Sequence, residues 1–288
     1  MTATVAHRLV ERGRFDLEAT LDEYVDAAAG TARGEVPIRT LLTHTSGLPP
    51  YKSFPFEWDD ADALLASLYE SPLAPLAAPD EWFVYSDLNY VHLADALRQA
   101  TGESLADLAA TRAFESAGIT DAHLGPLEAD ADLAATADDF WRERHLRGEI
   151  NDFIGAVMAG ESGNAGLFAT VPDLVQFASA LLYGGRGSDG RLLAPSTTEA
   201  VRSDAISHLD RPHGLGWRLA HAGQPAPTWS DAAFDHTGYT GTSLWVDPER
   251  DQFAVFCTNR LLTDTDNDEM AAFRRRFHAA VAGAADDP

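Results

Sequence analysis

The hydrophobic period of this chain changes after about Pro212, and that change constrains the fold more than any other feature. Beyond it, Thr242 to Val246 and Gln252 to Thr258 are apolar runs of strand-forming residues, as half-buried strands require. Asp247-Pro-Glu-Arg-Asp251 separates them and reads as a hairpin connection. Gly214 to Leu219 reads as a further strand. Glu269 to Val281 returns to helical spacing, with acids ahead of it and Arg274 to Arg276 within it. Before Pro212 the signals are helical. Helices first, then antiparallel strands, then a closing helix make an α+β plan.

The helical part is punctuated by residues with defined end chemistry. Val5, Leu9 and Val10 share one face of a helix that Gly13 ends, and no capping residue precedes it. Ile38 to Thr43 predicts a short helix running into the turn-forming loop Thr45-Ser-Gly-Leu-Pro-Pro50. Asp59 or Asp60 caps a helix through Tyr69, and a proline-rich loop, Pro72 to Pro79, comes next. Tyr90 to Ala100 is amphipathic and stops at Gly102. Thr170-Val-Pro-Asp173 puts a cap, an early proline and an N3 acid before Leu174 to Leu182, which Gly184-Gly185 ends. Ser196-Thr-Thr-Glu199 predicts a capping box for another helix. No internal repeat or low-complexity tract interrupts this order.

Charge excludes several classes of partner. Across 288 residues, 45 Asp and Glu face 21 Lys and Arg, so the net charge is 21 − 45 = −24. Nucleic acid requires a basic face to displace counterions, and anionic membrane surfaces repel such a chain. Only Lys52 is lysine; the other twenty basic residues are arginine. An acidic excess nearly free of lysine predicts a protein adapted to concentrated salt, where repulsion between carboxylates is screened within about 3 Å at molar salt; the alternative is an acidic protein from a GC-rich genome. Cys257 is the single cysteine, so no internal disulfide forms, and its apolar run predicts a small buried side chain. No apolar run approaches the roughly 20 residues of a membrane span, and the first residues form no signal peptide. These features predict a cytoplasmic location.

Three segments carry the chemistry: Leu41-Leu-Thr-His-Thr-Ser-Gly-Leu-Pro49, Phe83-Val-Tyr-Ser-Asp-Leu-Asn-Tyr90 and Phe234-Asp-His-Thr-Gly-Tyr-Thr-Gly-Thr242. Leu9-Val-Glu-Arg-Gly13 with Phe15-Asp-Leu17, and Gly163-Asn-Ala-Gly-Leu-Phe168, stand in register with them. Together they resemble the class C β-lactamase-like serine hydrolases, which include D-alanyl-D-alanine carboxypeptidases and carboxylesterases. The resemblance covers Met1 to about Val281. It implies a β-lactamase/penicillin-binding-protein-like α+β fold: an antiparallel sheet flanked by helices, plus a mainly helical lobe. The 288 residues then form one domain, with the helical lobe at roughly 20–208 and the sheet lobe at roughly 209–288 together with helix 1–13.

That family performs acyl transfer through a covalent serine ester. Its Ser-x-x-Lys motif sets serine and lysine on one helix face, one turn apart. Lysine and a tyrosine carry the proton traffic that an unaided serine hydroxyl cannot manage. By the resemblance, Tyr85 is that tyrosine, the general acid/base, opening a Tyr-x-Asn motif whose third position is here Asp87. His236-Thr237-Gly238 matches the family's Lys-Thr-Gly motif on a strand lining the cleft. Gly238 lets substrate lie near the backbone, and the Tyr239 N–H supplies an oxyanion donor. Asp87, His236, Thr237 and Gly238 are the implied substrate contacts. At an ordinary pKa, His236 is about a quarter protonated at pH 7 and holds a carboxylate less firmly than lysine.

Other suggestive residues read as structural. Ser46 lies in a turn of the first motif. Ser162 in Gly160-Glu-Ser-Gly163 is not a Gly-x-Ser-x-Gly elbow. Asp264-Thr-Asp-Asn-Asp268 imitates a calcium loop, but Glu269 and Arg275 occupy the glycine and glutamate positions, so helix capping is expected instead. No metal site and no cofactor is expected, since the histidines show no ligand spacing.

The nucleophile is absent from this pattern. Lys52 has Pro49 three residues before it, so the chain holds no Ser-x-x-Lys motif. By the resemblance, Met1 to Gly13 matches the stretch directly after that turn, which places the serine just upstream of Met1. The expectation is therefore a serine hydrolase acting on a small-molecule ester, D-amino peptide or β-lactam-like amide, inactive without its N-terminal segment. The alternative is a non-catalytic relative that keeps the cleft for binding.

Overall fold

The computed structural model describes residues 1–50, 58, 60–70, 76–128, 132–220 and 228–286. Its helices are α1 (Thr2–Val10), α2 (Ile38–Thr43), α3 (Ala61–Glu70), α4 (Asp87–Thr101), α5 (Leu105–Ala109), α6 (Glu115–Ala117), α7 (Phe153–Val157), α8 (Val171–Leu182), α9 (Pro195–Val201) and α10 (Asn267–Asp286). Its strands are β1 (His123–Leu124), β2 (Ala135–Asp139), β3 (Arg144–Arg147), β4 (Leu167–Phe168), β5 (Arg218–Leu219), β6 (Phe234–Thr237), β7 (Ser243–Asp247) and β8 (Gln252–Phe256). The mixture is α+β, as expected. The chain divides into two compact units: Met1–Glu115, Ala122–Asp132 and Gly148–Phe168 form the first, and Ser116–Asp121, Leu133–Arg147 and Ala169–Pro288 the second.

In the first unit α4 is the central element. Leu88, Val91, Leu93, Ala94, Ala96 and Leu97 are all fully buried, so its apolar residues wrap around more than one face, as a core helix requires. Gly102 ends it in the left-handed conformation at φ 73°. Helix α2 packs on α4, as does α1, which also contacts α5. Val5 and Leu9 supply the buried stripe of α1, and Thr2 Oγ1 donates to the Gly163 carbonyl at 2.7 Å. Helix α1 falls within the first unit. Asp60 caps α3 by accepting from the Ala63 N–H at 2.8 Å. Strands β1 and β4 pair antiparallel.

The second unit is built on a sheet of order β5-β6-β7-β8, antiparallel throughout. The hairpin expected after Thr242 forms with Asp247 opposite Gln252. Asp247 is fully buried and holds the turn with one oxygen, which accepts from the N–H groups of Glu249 and Arg250 at 3.1 and 3.2 Å. Helix α8 packs on β7 and β8 behind the expected capping box of Thr170 and Asp173. Helix α10 adds Phe277 against Phe256, with ring centroids 4.6 Å apart, and lays the His278 ring face to face on Trp245 at 3.8 Å.

Several sequence expectations differ from the structure. The strand expected over Gly214 to Leu219 shrinks to Arg218–Leu219, because Gly214 N–H turns back to the Trp217 carbonyl at 2.8 Å. Helix α9 opens at Pro195 after Ala194, without a side-chain cap; Glu199 pairs with Arg202 one turn later instead of closing a capping box on Ser196. Cys257 is exposed rather than buried, since it lies one residue past the end of β8, where the alternation of the strand no longer turns it inward. The β2–β3 hairpin was not anticipated: Ala135-Thr-Ala-Asp-Asp139 and Arg144-His-Leu-Arg147 lack the apolar alternation that announces strands.

Candidate functional site

Tyr85 is held from both sides by one histidine. Helix α2 ends on His44, which adopts the left-handed conformation at φ 57° and is almost fully buried. The His44 carbonyl accepts the Val84 N–H at 2.9 Å, and its Nδ1 accepts the Ser86 N–H at 3.3 Å. The two residues flanking Tyr85 are thus tied to the same side chain and backbone. The rings of His44 and Tyr85 lie 4.4 Å apart, while Tyr85 itself remains 49% exposed, open enough to reach a substrate. Asn89 Nδ2 lies 3.1 Å from the same His44 Nδ1, and Ser86 Oγ donates to the Pro49 carbonyl at 2.5 Å.

Asp87 opens α4 two residues after Tyr85. It is half-buried, and burial together with the nearby Asp152 carboxylate raises its pKa to about 6. Asp152 is fixed as the cap of α7, accepting the Gly155 N–H at 2.7 Å. Near neutrality Asp87 therefore exchanges between a donor and a purely accepting carboxylate, which an asparagine at this position would not do.

In the second unit, His236 and Thr237 end β6, facing Leu244 and Ser243 of β7, and Gly238 opens the turn between the strands. Gly238 N–H donates to the Thr242 carbonyl at 2.9 Å and Gly241 N–H to the Gly238 carbonyl at 3.1 Å. A Cβ on Gly238 would meet Thr242 Oγ1 at 2.3 Å, so a side chain there collides with the turn it closes. Arg260 Nε donates to the Tyr239 carbonyl at 2.9 Å, and Arg274 donates to the carbonyls of Gly238 and Gly241 at 2.6 and 2.9 Å. Among the described residues the Tyr239 N–H donates no hydrogen bond. Two guanidiniums thus occupy the turn's carbonyls and leave an amide donor beside positive charge, an arrangement suited to stabilising a developing oxyanion.

His236 departs from its expected protonation. Burial, with Arg218 adding positive charge nearby, lowers its pKa to about 3, so at pH 7 it is neutral rather than a quarter protonated. Arg218 instead bonds Asp235, the buried neighbour of His236 in β6. The structure therefore groups Tyr85 with Asp87 at the start of α4, and His236, Thr237, Gly238 and Tyr239 at the β6–β7 turn. Sequence reasoning missed His44, Arg260 and Arg274. The Asn259-Arg260 pair directly after an apolar strand was the one available signal, because a charge there must turn back onto backbone or leave the core.

The residues set aside as structural are buried. Ser46 is 1% exposed and donates to Asn89 Oδ1, while its Oγ accepts the Leu48 N–H at 3.1 Å. Ser162 is fully buried. Ser243 Oγ lies 2.8 Å from His278 Nε2, the spacing of a nucleophile and its base, but both sit in the core, with Trp245 covering the imidazole. Asp266 and Glu269 cap α10 reciprocally, at 2.8 and 3.2 Å, in place of a calcium loop. Lys52 lies outside the described residues. Among the described residues no group of three His, Cys, Asp or Glu side chains could hold a metal ion, and no helix is long and apolar enough to cross a membrane.

Known proteins place this geometry in context. A protein of Escherichia coli provisionally named a D-alanyl-D-alanine carboxypeptidase is 25% identical over 285 residues, covering 88% of this chain and 65% of its own length. An N-acetylmuramyl-L-alanine amidase of Bacillus subtilis is 26% identical, covering 88% of this chain and 64% of its own. The chain thus spans about 65% of the length of the curated relatives it matches. Among solved structures, a mutant of simvastatin synthase from Aspergillus terreus is similar with a TM-score of 0.72 at 19% identity, over 100% of this chain and 81% of that one. A penicillin-binding protein homologue from Caulobacter crescentus gives a TM-score of 0.68 at 20% identity, over 96% and 80%. These structural likenesses establish a β-lactamase/penicillin-binding-protein-like fold. The sequence pattern of the family described as Beta-lactamase matches residues 1–279, and the chain belongs to that family.

Proposed function

We propose that this chain carries the proton-transfer and oxyanion groups of a serine hydrolase that works by acyl transfer on a small ester or D-amino peptide. The observation that carries this reading is Tyr85: an exposed phenol whose two flanking amides are tied to buried His44. Its flanking amides are fixed while the phenol stays open, the placement that a proton-transferring group needs.

In the reaction so assigned, a serine Oγ attacks the carbonyl carbon and its proton passes to the base. The carbonyl oxygen becomes an oxyanion at the Tyr239 N–H. The leaving alkoxide or amine takes its proton through Tyr85, and water then cleaves the acyl ester. On this reading the attacking serine belongs to a Ser-x-x-Lys turn, a motif that the 288 residues do not contain. Neutral His236 offers a substrate carboxylate a hydrogen bond and no ion pair, and Asp87 replaces an amide by an ionisable carboxyl. Both features favour esters or small D-peptides over efficient β-lactam turnover. The named relatives include a carboxypeptidase, an amidase and a synthase, consistent with acyl chemistry on varied small molecules.

The test begins with in-frame translation of the DNA ahead of Met1. A Ser-x-x-Lys within a few codons, and p-nitrophenyl ester hydrolysis by the longer protein, are the expected results. In that protein Tyr85→Phe should lower the rate by on the order of 10²-fold, as for a positioned acid/base. An immediate stop codon favours the binding relative. The 288-residue chain should take no fluorophosphonate or penicillin label; stoichiometric labelling would overturn the assignment and promote Ser46 or Ser162.

A further inference from the structure

We infer that His44 is a positioning residue for Tyr85, and that it acts as the neutral imidazole with its proton on Nε2. The inference rests on the reading of Tyr85 as the proton-carrying group and adds the residue that sets its orientation.

A backbone N–H can only donate, so the bond from Ser86 N–H to His44 Nδ1 at 3.3 Å requires a lone pair on Nδ1. The neighbouring amide is consistent with that polarity. Ser46 O–H donates to Asn89 Oδ1, which turns the Asn89 NH₂ toward Nδ1, 3.1 Å away. Leu48 N–H completes the chain by donating to Ser46 Oγ. Ser86 N–H and the Asn89 NH₂ both face Nδ1, and its lone pair is there for them to share only while Nδ1 is unprotonated. The neutral Nε2–H tautomer is therefore selected by hydrogen-bond accounting, since a proton on Nδ1 would face the Ser86 amide hydrogen.

The backbone of His44 points the same way. At φ 57° it sits where a helix usually ends in glycine, and a residue with a Cβ costs on the order of 1 kcal/mol there. Glycine would remove that cost but would also remove the Nδ1 acceptor and the ring that lies 4.4 Å from Tyr85 and 5.4 Å from Tyr90. What histidine adds at this position is an acceptor for residue 86 and a wall for the phenol of residue 85. With Val84 N–H bound to the His44 carbonyl at 2.9 Å, the tripeptide Val84-Tyr85-Ser86 has both outer amides fixed and only its central side chain open.

The test uses the 288-residue chain and needs no turnover. Long-range ¹H–¹⁵N spectra of histidine-labelled protein should show His44 as the Nε2–H tautomer at pH 7. His44→Ala should speed Ser86 amide exchange about tenfold, the worth of one hydrogen bond at the upper end of its usual range, and shift the Tyr85 ring resonances, with amides of α8 unchanged. His44→Asn, which tolerates positive φ and returns an acceptor at the place of Nδ1, should restore Ser86 protection. A proton on Nδ1, an unchanged Ser86 amide in His44→Ala, or His44→Asn behaving like His44→Ala would each overturn the inference. Should Tyr85→Phe leave hydrolysis by the longer protein intact while the His44 signature stands, the functional reading fails and the clamp survives.

Discussion

Arg260 sets its guanidinium 4.4 Å over the Tyr239 ring while its Nε donates a 2.9 Å hydrogen bond to the carbonyl of the same residue. One side chain thereby fixes both the ring and the backbone of the residue whose N–H is the proposed oxyanion donor. Arg260 is 9% exposed, so this brace works in a partly desolvated place where charge-assisted bonds are stronger.

Removing the brace should therefore be visible in stability before activity is measured. Arg260→Ala should lower unfolding free energy by about 1.5–3 kcal/mol, the range for a hydrogen bond to a charged group, with an unchanged urea m-value. Equilibrium urea denaturation checks it, and a midpoint equal to wild type would show that the bond contributes nothing net.

Asp87 predicts a stability change with a defined direction in pH. Its carboxyl is raised from 3.8 to about 6 by burial and by Asp152. Between those values the folded chain holds a proton that the unfolded chain has released, so this group's contribution fades as pH rises and its cost is complete above 6. Asp87→Asn should stabilise the protein by about 1–3 kcal/mol at pH 8 and change little at pH 4, as read by urea midpoints at the two pH values.

Three buried histidines act in the opposite sense. His92, His213 and His278 are lowered from 6.5 to about 3, 4 and 3, each chiefly by burial. Below pH 6.5 the unfolded chain binds protons that the folded chain refuses, so stability falls with acid by up to about 1.4 kcal/mol per pH unit per histidine. Among the described residues neither ring nitrogen of His92 has a hydrogen-bond partner. His92→Phe should therefore flatten the fall of melting temperature between pH 6.5 and 5, with the ring still packed beside Tyr69, 5.2 Å away.

The charge of −24 predicts a response to salt. At molar KCl, repulsion between carboxylates is screened, so the melting temperature should rise from 0.1 M to 2 M KCl. Equal melting in both would remove the salt-adaptation reading and leave an acidic protein of ordinary habit.

Local chemistry was legible wherever one residue and its near neighbours settle the backbone. Gly102 ends α4 as expected, Thr170 and Asp173 build the expected capping box, and the Asp247 hairpin falls in its expected place. Where an element depends on distant partners, the pattern failed. The polar strands β2 and β3 stand by pairing with each other, and Ser196 lost its capping role to a helix that starts at Pro195.

For the candidate site, the motifs that carry the family resemblance nominated Tyr85, Asp87, His236, Thr237, Gly238 and Tyr239, because motifs are local and their residue types carry their chemistry with them. Their protonation and support were decided only by tertiary structure. The sequence assigns His236 an ordinary imidazole; desolvation and Arg218 make it neutral. The sequence reads His44 as part of a turn; folding brings it 41 residues along the chain to the amides on either side of Tyr85. Solvation and long-range hydrogen bonds belong to three-dimensional neighbours, and no spacing within a motif records them.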